Sequence, residues 1–331
     1  MLQSSVAEKL GELLIGQDPA IQKIAPYVEQ AISGLSPVDR PAAVFLLLGP
    51  TGVGKTHAVH SLAKVLHGQS ARVLRIDCGE YQMEHEVAKL IGAPPGYLGH
   101  RETHPALSQQ KVNSVSSEGC SASIVLFDEI EKAAPSFRRI LLGILDRGTL
   151  RLGDSTSVDF STSLIFMTSN VGSAEIASYS AGGFGFASAA KTSGRAGKIA
   201  VGALNRQFSP EFLNRVDEVI PFDYLDGNSI AKILDIEVKI LEDFLKAKLG
   251  IVALRLTAEV KARLIECGTS RLCGARELKR LIQREVMQRV VRIAGLVKIN
   301  DVLFADIIGG EVTITVDAAS KVIAASEGGE Q

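Results

Sequence analysis

Gly49-Pro-Thr-Gly-Val-Gly-Lys-Thr56 follows the apolar run Val44-Phe-Leu-Leu-Leu48 and leads into a helix-forming segment, Thr56 to His67. The eight residues fit G-x-x-x-x-G-K-[ST], in which glycines let the backbone curl until its N–H groups converge on an anion. The start of the following helix adds partial positive charge at the same place. On this reading Gly49, Pro50, Thr51, Gly52, Val53 and Gly54 cradle phosphate, Lys55 reaches the β- and γ-phosphates, and Thr56 offers its hydroxyl to Mg²⁺. The motif requires a strand before it and a helix after it, and both are present.

A second stretch gains meaning from the first. Ile124-Val-Leu-Phe-Asp128-Glu129 has four apolar residues followed by two acids, the form of a buried parallel strand with carboxylates emerging at its C-terminal edge. Downstream of a phosphate loop, the first acid, Asp128, reads as the Mg²⁺ carboxylate and the second, Glu129, as the group that polarises an attacking water. Leu164-Ile-Phe-Met-Thr-Ser-Asn170 is a further strand ending in an amide. Spacing alone leaves Asn170 open between a contact to γ-phosphate and water and a turn former before Val171-Gly172.

The 331 residues suffice for two domains, and 46% apolar content is that of an ordinary globular chain. With 36 Lys and Arg against 37 Asp and Glu, no global field draws in nucleic acid or anionic membrane. The apolar run near the phosphate loop is too short to span a bilayer, and acids stand near the N-terminus where a signal peptide carries bases. The expected location is therefore cytoplasmic. Cys78, Cys120, Cys267 and Cys273 form no C-x-x-C pair, so they read as reduced thiols rather than zinc ligands. His57, His60 and Lys64 share a helix face but lack the further ligand a metal would need.

In chain order, an amphipathic helix covers residues 4–14, and a second runs from Pro19 to Ser33 with Asp18 as its cap. Val73 to Asp77 is a strand and Met83 to Ile91 a helix. Gly92-Ala-Pro-Pro-Gly-Tyr-Leu-Gly99 is a loop carrying one aromatic. Residues 171–198, rich in Ala, Ser and Gly, read as a mobile loop holding Gly182-Gly-Phe-Gly-Phe-Ala187. The strand Val219 to Phe222 closes the first domain. Long helices follow, from Gly227 to Gly250, from Thr257 to Cys267 and from Gly274 to about Ala294, with short strands at Ala253 to Leu256 and Val312 to Val316. The expected domains are residues 1–222, residues 223–318 and a flexible tail, 319–331. Arg276, Arg280, Arg284, Arg289 and Arg292 make one side of the last helix basic. Glu277 and Glu285 interrupt it and no aromatics interleave, so it reads as a solvated or subunit-facing side rather than a nucleic-acid surface.

These pieces, in this order, resemble the Clp-type AAA+ unfoldases, most closely the second ATPase module of ClpA, ClpB and ClpC, from Ile15-Gly-Gln-Asp18 to about Val316. The residues that carry the resemblance are Gly49 to Thr56, Ile91 to Gly99, Val125 to Ala133, Met167 to Asn170, Pro210 to Glu218 and Gly274 to Arg276. The resemblance implies an α/β fold: a P-loop AAA+ module with a parallel sheet flanked by helices, plus a small, mainly helical lid domain. It further implies ATP with Mg²⁺ and a homo-oligomer, a hexamer. Asn170 looks like sensor 1, Arg215 like the arginine finger offered to a neighbouring subunit, and Arg276 like sensor 2. Ile15 and Gly16 would lie against adenine, and Tyr97, with Leu98 beside it, looks like the pore-loop grip on an unfolded polypeptide. Phe184 and Phe186 stand where protease-partnered relatives carry a docking loop for a ClpP-like protease, although the usual aliphatic is absent. The chain also departs from the family in His100-Arg-Glu-Thr-His-Pro105 and in Ser209, where relatives often have Arg. The implied activity is ATP-driven unfolding or remodelling of protein. The alternative is a regulatory or scaffold ATPase that holds one dedicated partner without threading it.

Overall fold

Three runs with no exposed residue form the centre of a sheet, because strands covered by helices on both faces have no polar side to present. In chain order the strands of the first unit are Ala43–Leu48 (β1), Leu74–Asp77 (β2), Ser123–Asp128 (β3), Thr149–Arg151 (β4), Ser157–Asp159 (β5), Ser163–Ser169 (β6) and Glu218–Pro221 (β7). They are taken from a computed structural model that describes residues 5–92, 105–172, 202–204, 206–268 and 274–318. All residues of β1, β3 and β6 are buried. The main sheet has the order β2-β3-β6-β1-β7, and every pairing in it is parallel. Parallel strands all release their chain at the same edge, so the C-terminal ends of β1, β6 and β3 lie side by side.

Aromatic contacts hold that arrangement. Phe45 of β1 stacks on Phe166 of β6 with ring centroids 4.8 Å apart, and Tyr27 meets Phe45 edge-on at 5.5 Å. Such pairs add roughly 0.5–1.5 kcal/mol beyond area burial. Asp217 sets the register of β7, its Oδ2 accepting from Arg40 at 2.7 Å and from the Val44 N–H at 2.8 Å.

The helices begin where their caps dictate. Val6–Leu13 starts from Ser5, whose side chain accepts from the Glu8 N–H while Glu8 reaches back to the Ser5 N–H. The second helix is Asp18–Ile32, with Gln17 at the cap position and no side-chain cap. Asp18 is therefore a first-turn residue favoured by the helix dipole, not the cap expected from sequence. Gln17 instead is buried and donates from Nε2 to the Asp223 carbonyl at 3.0 Å. The single helix expected over Met83 to Ile91 is a 3₁₀ turn, Glu84–Val87, followed by a helical turn, Ala88–Ile91.

Contacts divide the chain into two compact units, Met1–Pro50 with Gly54–Asp223, and Thr51–Val53 with Tyr224–Gln331. The second unit is helical with a small sheet of its own. Its longest helix, Gly227–Leu249, is capped by Asp226 and ended by Gly250 in the left-handed conformation. Ala253–Leu256 (β8), Asp301–Ile308 (β9) and Glu311–Ala318 (β10) form a sheet of order β10-β9-β8. Gly309 and Gly310, with φ of 63° and 83°, make the two-residue connection between β9 and β10, where both positions need the left-handed region. The arginine-bearing segment is not one regular helix. Gly274–Ile282 and Gln288–Ile293 are α-helical, with a π turn at Gln283–Met287 between them. Arg289 pairs with Glu285 at 2.9 Å, Arg284 with Glu285 at 3.1 Å and Arg280 with Glu277 at 3.5 Å, so these arginines lie among their own helix's acids. Among the described residues, no helix is long and apolar enough to cross a membrane.

Candidate functional site

The loop after β1 is shaped by its first and last glycines. Gly49 has φ 147°, and a Cβ built on it would stand 2.3 Å from the Phe222 carbonyl oxygen, so a side chain there has no room. Gly54, at φ 105°, caps the helix Lys55–His67 from the left-handed region. Lys55, the first residue of that helix, is buried. Its ammonium donates to the carbonyls of Gly49 and Pro50, the latter at 2.7 Å, and to Asn170 Oδ1 at 2.9 Å. Thr56 stands next to it and donates from Oγ1 to Asp128 Oδ1 at 3.3 Å.

Asp128 ends β3, and its side chain is nearly buried. Oδ1 also accepts from the Thr168 hydroxyl, and Oδ2 is paired with the Arg75 guanidinium at 2.7 Å. A carboxylate this buried needs such partners, since an uncompensated charge there costs several kcal/mol. Glu129 follows in the left-handed conformation, φ 58° and ψ 51°, which is unfavourable for a residue with a side chain. Its N–H is held by Thr168 Oγ1 at 2.9 Å, and its Oε1 accepts from Asn170 Nδ2 at 3.4 Å. Asn170 thus spans Lys55 and Glu129, and its own N–H donates to Glu131 Oε1 at 3.1 Å. The structure brings together Lys55, Thr56, Asp128, Glu129 and Asn170 from the ends of three neighbouring strands.

The turn holding Ile15 and Gly16 adjoins the loop. Leu14 Cδ1 lies 3.7 Å from the Cβ that Gly54 would carry, and His57 Nε2 is 3.2 Å from the Leu13 carbonyl. Arg215 is not part of the Lys55 cluster's bonding. It follows the short helix Pro210–Leu213, whose cap is Ser209, and pairs with Asp146 at 2.9 Å with both side chains nearly half exposed. Arg276 is in the first turn of Gly274–Ile282, in the second unit. Tyr97, Leu98, Phe184 and Phe186 lie outside the described residues.

Three residues in this site were not singled out by sequence. Thr168 bonds both Asp128 and Glu129, Arg75 neutralises Asp128 from the edge strand, and Lys132 pairs with Glu129 at 2.5 Å. Thr168 is 1% exposed, so Thr168→Val removes a buried hydroxyl that bonds both Asp128 and the Glu129 N–H. We expect that variant to lose about 2 kcal/mol in urea denaturation and Thr168→Ser to lose much less. Cys78, fully buried just beyond β2, has its thiol pushed far up by burial and then by the charges of Asp77, Asp128, Glu131 and Glu129, so it contributes no thiolate.

The donor set suits magnesium and a triphosphate. Hydroxyl and carboxylate oxygens are the hard ligands Mg²⁺ takes, with the remainder of its shell supplied by phosphates and water. Among the described residues, no group of three His, Cys, Asp or Glu side chains could hold a metal on its own. A buried lysine inside a turn of glycines, beside that carboxylate and a strand-end amide, defines a P-loop ATPase of the AAA+ class.

Comparison with known proteins narrows the class. Residues 40–219 match the family described as AAA domain (Cdc48 subfamily), and residues 225–313 match the C-terminal, D2-small domain, of ClpB protein. The chaperone protein ClpB of Bacillus anthracis is 37% identical over 309 residues, which is 93% of this chain and 34% of that protein. The ClpE ATP-binding subunit of the Clp protease of Lactococcus lactis is 38% identical over 284 residues, 85% of this chain and 36% of that one. In solved structures, a closed state of Hsp104 with ATPγS and FITC-casein aligns with TM-score 0.78 and 30% identity, over 95% of this chain and 53% of that chain. The chain belongs to the Clp-type AAA+ ATPases and has the organisation of their second module. It spans about a third of the length of the curated relatives it matches.

Proposed function

We propose that this protein hydrolyses ATP at the boundaries of a homo-hexamer and uses the cycle to unfold or remodel protein. The observation that carries the proposal is the convergence of Lys55, Thr56, Asp128, Glu129 and Asn170 at one sheet edge. Lys55 and the loop amides bind the phosphates, with Ile15 and Gly16 beside the adenine. Thr56 and Asp128 would hold Mg²⁺, which would neutralise charge on the phosphate oxygens. Glu129 accepts the proton of a water whose oxygen adds to the γ-phosphorus as the bond to ADP breaks, and Asn170 orients that water.

The pairing of Arg215 with Asp146 on an exposed surface supports its use on a neighbouring subunit's nucleotide. Arg276 reports the nucleotide held by its own chain to the second unit, and the two units are the large nucleotide-binding domain and its lid. Tyr97, with Leu98, is the grip on the polypeptide. Hsp104 in its closed state was determined with both ATPγS and FITC-casein, which supports a polypeptide substrate for the related module. The activity belongs to the cytoplasm.

The test is Tyr97→Ala. ATP turnover should stay within about twofold of wild type, because no step of the hydrolysis uses the ring, while unfolding of a fluorescent tagged substrate should stop. Continued unfolding by that variant would remove Tyr97 from its role. Pull-down with a hydrolysis-dead variant then separates the remaining readings: many unrelated polypeptides indicate an unfoldase, and one stoichiometric partner a scaffold.

A further inference from the structure

Glu129 has both carboxylate oxygens engaged. Oε1 accepts from Asn170 Nδ2 at 3.4 Å, and Oε2 lies 2.5 Å from the Lys132 ammonium. The second contact is produced by the backbone. Directly after Glu129 the chain makes a 3₁₀ turn, Ile130–Lys132, in which the Lys132 N–H donates to the Glu129 carbonyl at 2.9 Å. The turn carries Lys132 back alongside Glu129, three residues earlier, and the two side chains meet. The left-handed conformation of Glu129, fixed by its N–H bond to Thr168, sets the direction of the turn.

Resting on the assignment of Glu129 as the acceptor of the water's proton, we propose that Lys132 is a latch that restrains hydrolysis. The ammonium occupies Oε2 and competes with water for it, which slows the step. Glu129 also holds Lys132, whose ammonium is kept above its ordinary range first by the hydrogen bond to Glu129 and then by that carboxylate's charge. With side chains 46% and 33% exposed, the pair is a surface ion pair that is easily broken. A partner or substrate that draws Lys132 toward another anion therefore accelerates turnover without touching the nucleotide. Lys132 is a positioning residue in this account, acting only through Glu129.

The experiment compares wild type, Lys132→Met, Lys132→Arg and Glu129→Gln as purified full chains, by steady-state ATP turnover and by titration with a fluorescent ATP analogue. Lys132→Met should raise kcat about fivefold, the rate equivalent of a surface pair, with analogue affinity unchanged. Lys132→Arg, which keeps the pair, should stay near wild type. A lysine that only supported the fold would give the opposite result, a lower kcat with weakened binding. If Lys132→Met is no faster than wild type while Glu129→Gln is slow, the latch is overturned and the assignment of Glu129 stands. If Glu129→Gln hydrolyses as fast as wild type, the assignment of Glu129 falls and the latch with it.

Discussion

Glu129→Gln binds ATP with Mg²⁺ at wild-type affinity and hydrolyses it about 10²–10⁴ times more slowly, the usual contribution of a positioned base. The amide is nearly isosteric with the carboxylate, so the local structure has little reason to change. Glutamine can still meet Asn170 and sustain the left-handed turn, whose fixed point is the backbone bond from N–H 129 to Thr168. What it cannot do is take a proton. Single-turnover hydrolysis and equilibrium nucleotide binding, measured on the same preparation, separate the two effects. Loss of binding in proportion to loss of rate would mean that Glu129 supports the loop rather than the chemistry.

Arg215→Ala has the second large effect. Guanidinium groups delivered to a γ-phosphate in other P-loop enzymes contribute about 10³–10⁵ in rate, and removal of this one should cost the assembled protein a comparable factor. Nucleotide affinity should persist, because Lys55 and the loop amides are untouched. Folding should persist as well, since the pair with Asp146 is exposed on both sides and such pairs contribute about 0–1 kcal/mol. The measurement is ATP turnover against protein concentration, with sedimentation to follow assembly. Wild type should gain specific activity as it assembles, and the variant should not. A variant that assembles and keeps wild-type turnover would show that Arg215 is only a surface residue.

Much of this arrangement is legible in sequence because buried parallel strands leave a strong trace. The runs in β1, β3 and β6 are apolar without alternation, and the loop glycines and strand-end acids stand at fixed places relative to them. The hairpin β4–β5 is nearly invisible, since each of its strands has three residues and only one of them is buried. In β9, Ala305 and Asp306 divide an apolar stretch that reads as no regular element until β10 pairs with it. The π turn at Gln283–Met287 cannot be read from periodicity, because inserting one residue into a helix leaves the apolar spacing within the tolerance of the pattern.

The site shows the same divide. Residues that act through a motif can be found by spacing. Those that act through a neighbour cannot: Thr168 looks like one more strand residue until its hydroxyl is seen between Asp128 and Glu129. Arg75 is likewise an ordinary exposed position on β2 until β3 lies beside it. Lys132 carries a faint signal, a base three residues after the candidate catalytic acid, but a strand end followed by a turn does not announce that the two side chains meet.

The central claim is that each hydrolytic centre takes Lys55 and Glu129 from one copy and Arg215 from the next. Mixing Glu129→Gln with Arg215→Ala tests this directly, since each variant is inactive alone and each keeps intact what the other lacks. ATP turnover should reappear on mixing, at boundaries where the Arg215→Ala copy supplies Glu129 and the Glu129→Gln copy supplies Arg215. A mixture that co-assembles and remains as inactive as its parents would contradict it.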